Sequence, residues 1–266
     1  MILSIDIGNT STVLGLFKDS KLYLKKRLNT ENIINSLNFH LKKSQKSSNS
    51  FDKTLNELKE YALKRSNKIC GISLASVVPH ITNKLIKLLK SEFHAKVLNV
   101  DYRTKSGLVI KIDNPKELGA DRIVNASFAY HCFHGACIIV DMGTATTLDC
   151  VNNRGEYIGG MILPGIEIAA KALKMFTAKL PFVSFKKPLR VIGRNTIQCI
   201  SSGLYYGGLG MIQEAIKQCK KEIASDVTVI LTGGLGGLFF YKLKEIKYYW
   251  QDLTLIGLNN LWEINT

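Results

Sequence analysis

One stretch of this chain occurs twice, and that repeat constrains the fold more than any other feature. Ile2-Leu-Ser-Ile-Asp6-Ile-Gly8-Asn-Thr10 runs from an apolar, partly β-branched segment into a turn-forming cluster, and Ser11 to Phe17 is apolar again. Ala136-Cys-Ile-Ile-Val-Asp141-Met-Gly143-Thr-Ala-Thr-Thr147-Leu148 follows the same course. Asp141 and Asp6 are 135 residues apart, and the same offset aligns Gly143 with Gly8, Thr147 with Thr12 and Leu148 with Val13. Each copy reads as a buried strand, an Asp-x-Gly turn, a hydroxyl cluster and a returning strand. So long a spacing is not that of a solenoid. It predicts two related domains, residues 1–117 and 118–266, with the boundary near Asp113 to Gly119.

Between and after these copies, strand and helix patterns alternate. After the first, Asp19-Ser-Lys21 is a turn and Leu22 to Leu28 alternates, predicting a three-stranded antiparallel meander. Residues 31–63 read as helix in pieces, interrupted by the polar stretch Lys42 to Ser50, which reads as a loop insertion. Lys68 to Val78 is a strand pattern, stopped by Pro79, which opens a helix. Val97 to Val100 is a short strand, and a helix spans about Leu118 to His131. Helices follow over about Ile166 to Thr177 and Ser201 to Ala224, then the strand Val227 to Leu231 and the glycine turn Thr232-Gly-Gly234. The order implies an α/β protein with largely buried sheets.

Composition narrows the class. The chain has 266 residues, 46% hydrophobic and 21% charged, which is enough to bury a core without disulfides. No apolar run approaches the roughly 18 residues of a membrane helix. The start lacks a basic region and Asp6 interrupts its apolar stretch, unlike a signal peptide. Six cysteines without a Cys-x-x-Cys pair read as reduced, mostly buried thiols of a cytoplasmic protein. Net charge is +15, but the basic residues are spread thinly, as in Lys25-Lys26, Lys186-Lys187 and Lys220-Lys221. A solvated surface accounts for them better than a nucleic-acid face, so neither a nucleic-acid nor a membrane partner is expected.

The chemistry follows from the turns. A carboxylate at a strand end followed by glycine lets successive backbone N–H groups converge on one point, a nest for phosphate oxygens, to which Asn9 and Thr10 add donors. Asp6 would hold Mg²⁺ there, directly or through water. For one such turn alone a plain β-turn with an Asx cap is the better explanation, but it gives no reason for the motif to recur with its flanking strands. In the second turn Gly143 permits close backbone approach, Thr144 is a candidate phosphate donor and Asp141 a candidate cation ligand. Thr232-Gly233-Gly234 offers a third bare-backbone site. Glu117-Leu-Gly119-Ala120-Asp121-Arg122 admits two readings. One is a helix cap with a solvated ion pair. The other is a proton acceptor, Asp121, beside an anion-binding Arg122. His131 and His134 have no obvious third ligand, and Tyr241 to Tyr249 reads as a helix face.

Further motifs complete an ordered set: Ser76-Val-Val-Pro79, Gly159-Gly-Met-Ile-Leu-Pro-Gly165, Thr177-Ala-Lys-Leu-Pro181, Ile192-Gly-Arg-Asn-Thr196, Ser202-Gly203 and Gly257-Leu258. With the two Asp-x-Gly turns, Gly119 to Arg122 and Thr232 to Gly234, the set resembles the type III pantothenate kinases from residue 2 to about 260. The resemblance implies two actin-like (ribonuclease H-like) domains with mixed sheets flanked by helices and a cleft between them, usually in a homodimer. It implies ATP-dependent phosphorylation of pantothenate, the first step of coenzyme A synthesis.

By the same resemblance Asp6, Ile7, Gly8, Asn9, Thr10, Ser11, Thr12 and Val13 line the ATP phosphates, and Thr144 contacts ATP. Asp121 is the proton acceptor, and Gly119, Ala120, Asp121, Arg122 and Thr196 contact pantothenate. Asp141 binds a monovalent cation, potassium or ammonium, required alongside Mg²⁺. The family usually has Tyr before Asp-Asn-Pro, where this chain has Ile112, which keeps apolar packing but loses a hydroxyl; the expectation is either weaker substrate affinity or compensation by nearby Tyr102. Two rival readings stand beside this one: another small-molecule kinase of the superfamily, and a transcription accessory factor.

Overall fold

The computed structural model describes residues 1–41 and 50–266. The polar stretch expected as a loop therefore lies outside the described residues, save Ser50, which opens a helix. The described chain forms two compact units. One comprises Met1–Gly107, Asp113–Phe128 and Leu253–Thr266, the other Leu108–Ile112 and Ala129–Asp252.

In the first unit the expected meander forms from β1 (Ile2–Ile7), β2 (Ser11–Lys18) and β3 (Lys21–Asn29). β4 (Gly71–Ser76) lies parallel to β1, and β5 (Lys96–Asn99) parallel to β4, giving the order β3-β2-β1-β4-β5. Leu3, Ile5 and Ile7 alternate along β1 and point to one side. There they share a core with Ile72 and Leu74 of β4, Ile33 of α1 (Thr30–Leu41), Leu58 of α2 (Ser50–Leu63) and Leu85 of α3 (Pro79–Phe93). Pro79 occupies the first turn of α3, where its missing N–H costs nothing. After a 3-10 turn at Pro115–Glu117 comes α4 (Ala120–Phe133).

The second unit repeats this plan. β7 (Cys137–Met142), β8 (Ala145–Val151) and β9 (Glu156–Pro164) form an antiparallel meander. β10 (Thr228–Thr232) is parallel to β7, and β11 (Tyr248–Tyr249) is parallel to β10. β6 (Val109–Ile110) joins beyond β9, so the order is β11-β10-β7-β8-β9-β6. Strand for strand and direction for direction, β9-β8-β7-β10-β11 reproduces β3-β2-β1-β4-β5. Its core holds Ile138, Val140 and Leu148 with Tyr205, Ile212 and Ile216 of α6 (Thr196–Ile223). Ile166 of α5 (Ile166–Met175) and Phe239 of α7 (Gly236–Phe239) join it. Tyr241 to Tyr249, expected as a helix face, is instead a 3-10 turn at Phe240–Lys242 and the edge strand β11.

The repeat carries one correction. Ile7 pairs with Thr12 across the first hairpin, but Met142 pairs with Thr146 across the second. The second turn is one residue shorter, so beyond it the constant offset of 135 fails. Thr146, not Thr147, is the counterpart of Thr12, and both are buried; Leu148 answers Leu14, not Val13. A slip of one residue exchanges the two faces of a strand, which makes the distinction a physical one.

The last helix, α8 (Leu253–Asn265), packs with β1, β4 and β2 of the first unit. Leu253, Leu255, Leu258 and Leu261 are buried, worth about 1.5–3 kcal/mol each. Trp262 lies so close over Gly71 that a Cβ there would stand 2.1 Å from the indole ring. This burial draws the end of the chain into the first unit, and the units are for that reason not the contiguous stretches 1–117 and 118–266. Among the described residues no helix is long and apolar enough to cross a membrane.

Candidate active site

Within the first unit, the turn after β1 is held on two sides. Gly8 N–H donates to the Ser11 carbonyl at 3.0 Å, closing the turn itself. Thr30, the first residue of α1, donates its N–H to the Thr10 carbonyl at 3.1 Å and its hydroxyl to the Gly8 carbonyl at 2.7 Å. Arg27 donates to the Ser11 hydroxyl at 2.9 Å. Of the eight residues from Asp6 to Val13, Ile7, Thr12 and Val13 have buried side chains. Ile7 and Val13 belong to apolar clusters, leaving only their backbone for a ligand. Asp6 is half-buried at the strand end, and Asn9 and Thr10 are exposed at the tip.

The same corner receives the start of α4. Val77, just past β4, donates its N–H to the Ile7 carbonyl at 3.0 Å. A Cβ added to Gly119 would meet the Val77 side chain at 3.7 Å and the Asp121 carboxylate at 2.6 Å. The absence of a side chain at Gly119 thus lets Asp121 fold back over the chain, where Oδ1 accepts the Arg122 N–H at 2.9 Å. Burial raises the affinity of Asp121 for its proton above that of an ordinary aspartate. The Arg122 N–H and charge oppose that rise without cancelling it. Val77 thus links the end of β1 to the Gly119–Arg122 segment, at the carboxyl ends of two parallel strands, where open α/β sheets bind ligands.

The second unit builds its own corner in a barer way. Asp141, the next-to-last residue of β7, lies opposite Thr232 of β10. Gly233 follows with φ +90, and a Cβ there would lie 2.6 Å from both Asp141 Oδ1 and the Met142 backbone. Gly165, between β9 and α5, sits where a Cβ would come 1.9 Å from the Thr144 carbonyl. Asp141, Gly143, Thr144, Gly165 and Gly233 are thus one cluster whose walls are largely backbone. Tyr249 packs on Gly236 and Gly237 and donates to the Gly233 carbonyl at 3.3 Å. Burial raises the pKa of its hydroxyl.

Thr196 opens α6 behind Asn195, whose side chain accepts the Gln198 N–H at 2.9 Å as an N-cap. It lines a groove of about 930 Å³ with Pro164, Ile168, Leu173, Phe176 and Leu204. Ile112 is half-buried, 3.9 Å from where a Cβ of Gly159 would lie. Tyr102 lies under the Arg103 guanidinium. His131 and His134 are exposed with ring centroids 6.1 Å apart, and no group of three His, Cys, Asp or Glu able to hold a metal occurs among the described residues. All six cysteines are free. Cys137, Cys150 and Cys219 are buried, but Cys70, Cys132 and Cys199 are exposed, fewer buried thiols than the sequence led us to expect.

The model of the type III pantothenate kinase family matches residues 2–218. The chain belongs to the type III pantothenate kinase family. Within it, the enzyme of that name from Moorella thermoacetica is 38% identical over 266 residues, 100% of both chains. Among solved structures, a Campylobacter jejuni protein described as a Baf family transcriptional activator has a TM-score of 0.60 at 21% identity, covering 99% of this chain and 98% of that one. A Listeria monocytogenes protein described as an N-acetylmannosamine kinase has a TM-score of 0.53 at 13% identity, covering 100% and 99%. At such identities the two structures speak for the fold alone, two mixed sheets flanked by helices.

Sequence reasoning passed over Thr30 and the contact of Gly165 with Thr144. A Thr at the start of a helix reads as an ordinary cap. The signal that would have found both is the repeat: each stands where the third strand of a meander meets the following helix.

Proposed function

We propose that this chain transfers the γ-phosphoryl group of ATP to the primary hydroxyl of pantothenate, giving 4'-phosphopantothenate and ADP, the first step of coenzyme A synthesis. The observation that carries the mechanism is the position of Asp121. Its carboxylate is folded over Gly119, which also faces Val77, and Val77 is bonded to the strand that leads into the Asp6–Thr10 turn. Burial makes it a stronger base than a surface aspartate. In the proposed reaction Asp121 takes the hydroxyl proton as the new oxygen–phosphorus bond forms and the bond to the β-phosphate oxygen breaks. Arg122 offsets charge developing on the transferred group. The backbone of Gly8 to Ser11 cradles phosphate oxygens, Thr144 contacts ATP, and Gly119, Ala120, Thr196 and Ile112 contact pantothenate.

Two cations belong to this proposal. The half-buried carboxylate of Asp6, beside the phosphate turn, suits Mg²⁺, which keeps waters and binds mainly through substrate phosphates rather than in a protein cage. When bound there, it neutralises charge on the β- and γ-phosphates. Asp141, set among the bare backbone of Gly143 and Gly233, would supply a carboxylate oxygen to potassium or ammonium.

A homodimer in the cytoplasm completes the proposal. Exposed apolar side chains gather over residues 168–197, among them Met175, Phe176, Leu189, Val191 and Ile192, beside the groove that Thr196 lines. Apolar surface so concentrated marks an interaction face, here one for a second copy. The rival readings, a different small-molecule kinase or a transcription factor, are not favoured by the full-length relatives. The test is coupled ADP release with pantothenate, with and without potassium. Turnover is expected to depend on both, and turnover with a sugar but not with pantothenate would end the reading.

A further inference from the structure

We infer that Thr30 is a positioning residue for ATP: it turns the first phosphate loop so that its N–H groups face the nucleotide. This rests on the reading of Gly8 to Ser11 as the phosphate turn. Thr30 is buried, at 1% exposure, and lies outside that turn in sequence, yet it grips the turn at two points and the strand that leaves it at a third. Its N–H holds the Thr10 carbonyl at 3.1 Å, and its hydroxyl holds the Gly8 carbonyl at 2.7 Å. The Thr12 hydroxyl lies 3.0 Å from the Thr30 hydroxyl. Thr30 has a single hydroxyl proton and gives it to Gly8, so Thr12 is the donor in that pair.

The consequence follows from peptide geometry. In a trans peptide the carbonyl of one residue and the N–H of the next point in opposite directions. Drawing the Gly8 and Thr10 carbonyls towards Thr30 therefore turns the N–H groups of Asn9 and Ser11 away from it. Without the Thr30 hydroxyl the Gly8 carbonyl loses its anchor, and the Gly8–Asn9 peptide is free to flip, putting an oxygen where phosphate expects a donor.

The second unit supports the assignment independently. The equivalent junction of third strand and helix there is Gly165, which also presses on the turn, close enough that a Cβ would stand 1.9 Å from the Thr144 carbonyl. The fold thus buttresses both turns from the same place, once with a hydroxyl and once with bare backbone.

The experiment compares Thr30→Val, Thr30→Ser and the wild type by calorimetric titration with MgATP, and by steady-state kinetics in each substrate. Valine keeps the shape and removes the hydroxyl; serine keeps the hydroxyl. MgATP binding to Thr30→Val is expected to weaken about 10- to 100-fold, the usual cost of a buried carbonyl left without its donor. KM for pantothenate should stay within about twofold, and Thr30→Ser should bind MgATP like the wild type. If Thr30→Val does not fold, Thr30→Cys, with its weak S–H donor, replaces it and should fall between the two. The assignment is overturned if the hydroxyl-free variant binds MgATP as the wild type does. A serine that fails to restore binding, or a pantothenate KM that rises in parallel with that for ATP, would also overturn it by showing a merely structural role. A wild type that binds MgATP but does not phosphorylate pantothenate would sink the proposed substrate and leave Thr30 assigned; one that binds no MgATP would sink both.

Discussion

Gly165→Ala isolates the cost of moving the second turn. Gly165 has φ −66 and ψ 153, a conformation alanine adopts freely, so the substitution adds no backbone strain. Its whole effect is steric. The new Cβ would stand 1.9 Å from the Thr144 carbonyl oxygen and 2.7 Å from its carbon, against an ordinary contact of at least 3.4 Å. The obstacle is backbone on both sides, so no flexible side chain can swing away, and the Thr144 peptide must retreat by about 1.5 Å. A misplacement of about 1 Å costs on the order of 10²-fold in rate where geometry is set for transfer. We therefore expect kcat/KM for ATP to fall about 10²-fold, about 2.7 kcal/mol of transition-state stabilisation. The assay is coupled ADP release at saturating pantothenate, with circular dichroism confirming the fold. The control is Gly210→Ala in α6, where nothing lies within 4 Å of the added Cβ. It should leave activity unchanged and stabilise the helix by about 0.5–1 kcal/mol. A folded Gly165→Ala enzyme with kcat/KM for ATP within about threefold of the wild type would refute the reasoning, because the turn would then tolerate displacement without consequence.

Asp121→Asn should lower turnover by roughly 10²–10⁴-fold, and near wild-type turnover would remove Asp121 as the base. The same variant has a stability signature. Burial raises the carboxyl pKa in the folded state, so the charged form is a cost to folding. That cost is absent below the unfolded pKa, grows as pH rises to the folded value and is constant above it. Asp121→Asn should accordingly melt above the wild type at pH 7.5, and the gap should close as pH falls towards 4; a gap that widens in acid contradicts the burial argument. If the proposed dimer forms through the apolar face over residues 168–197, wild type should sediment as a dimer and Ile192→Asp as a monomer; a monomeric wild type would remove the dimer, and an unchanged mass in the variant would remove this face from it. Native protein should leave Cys137, Cys150 and Cys219 unlabelled by an aromatic disulfide reagent. Burial pushes the Cys137 thiol up to about 12, so mass-spectrometric detection of rapid labelling there would show the core to be open.

The sequence disclosed most where local patterns and tertiary demands agree. The strands β1 and β7 are short apolar runs closed by Asp-x-Gly, and nothing competes with that reading. Pro79 marked the start of α3 because proline has one comfortable place in a helix. α8 escaped notice for the opposite reason. Leu253, Leu255, Leu258, Leu261 and Trp262 are apolar on several sides, without the polar face that gives a surface helix its period. β11 pairs over two residues only, too short to leave a pattern. Among the candidate site residues, chemical type was visible from the start, but which atoms are presented was not. Ile7, Thr12 and Val13 belong to the motif as core residues that fix the turn, a role that burial reveals and a motif does not.

The two units show how a duplicated fold acquires unequal turns. Strand order and direction survive in both, because each sheet must bury the same central strand between its neighbours. The hairpin turn is under no such constraint and differs by one residue. Shortening it leaves the buried threonine in place, since Thr146 pairs with Met142 as Thr12 pairs with Ile7, but it brings the remaining backbone hard against the next helix. At that junction the first unit has room for a threonine side chain that hydrogen-bonds the turn, and the second has room only for glycine. The longer turn is thus held by directional bonds, which select one peptide orientation, and the shorter by contact, which tolerates no added atom. A single side chain exchanged between the junctions, Thr30→Gly or Gly165→Thr, should therefore damage the two turns by different means: the first by loosening, the second by collision.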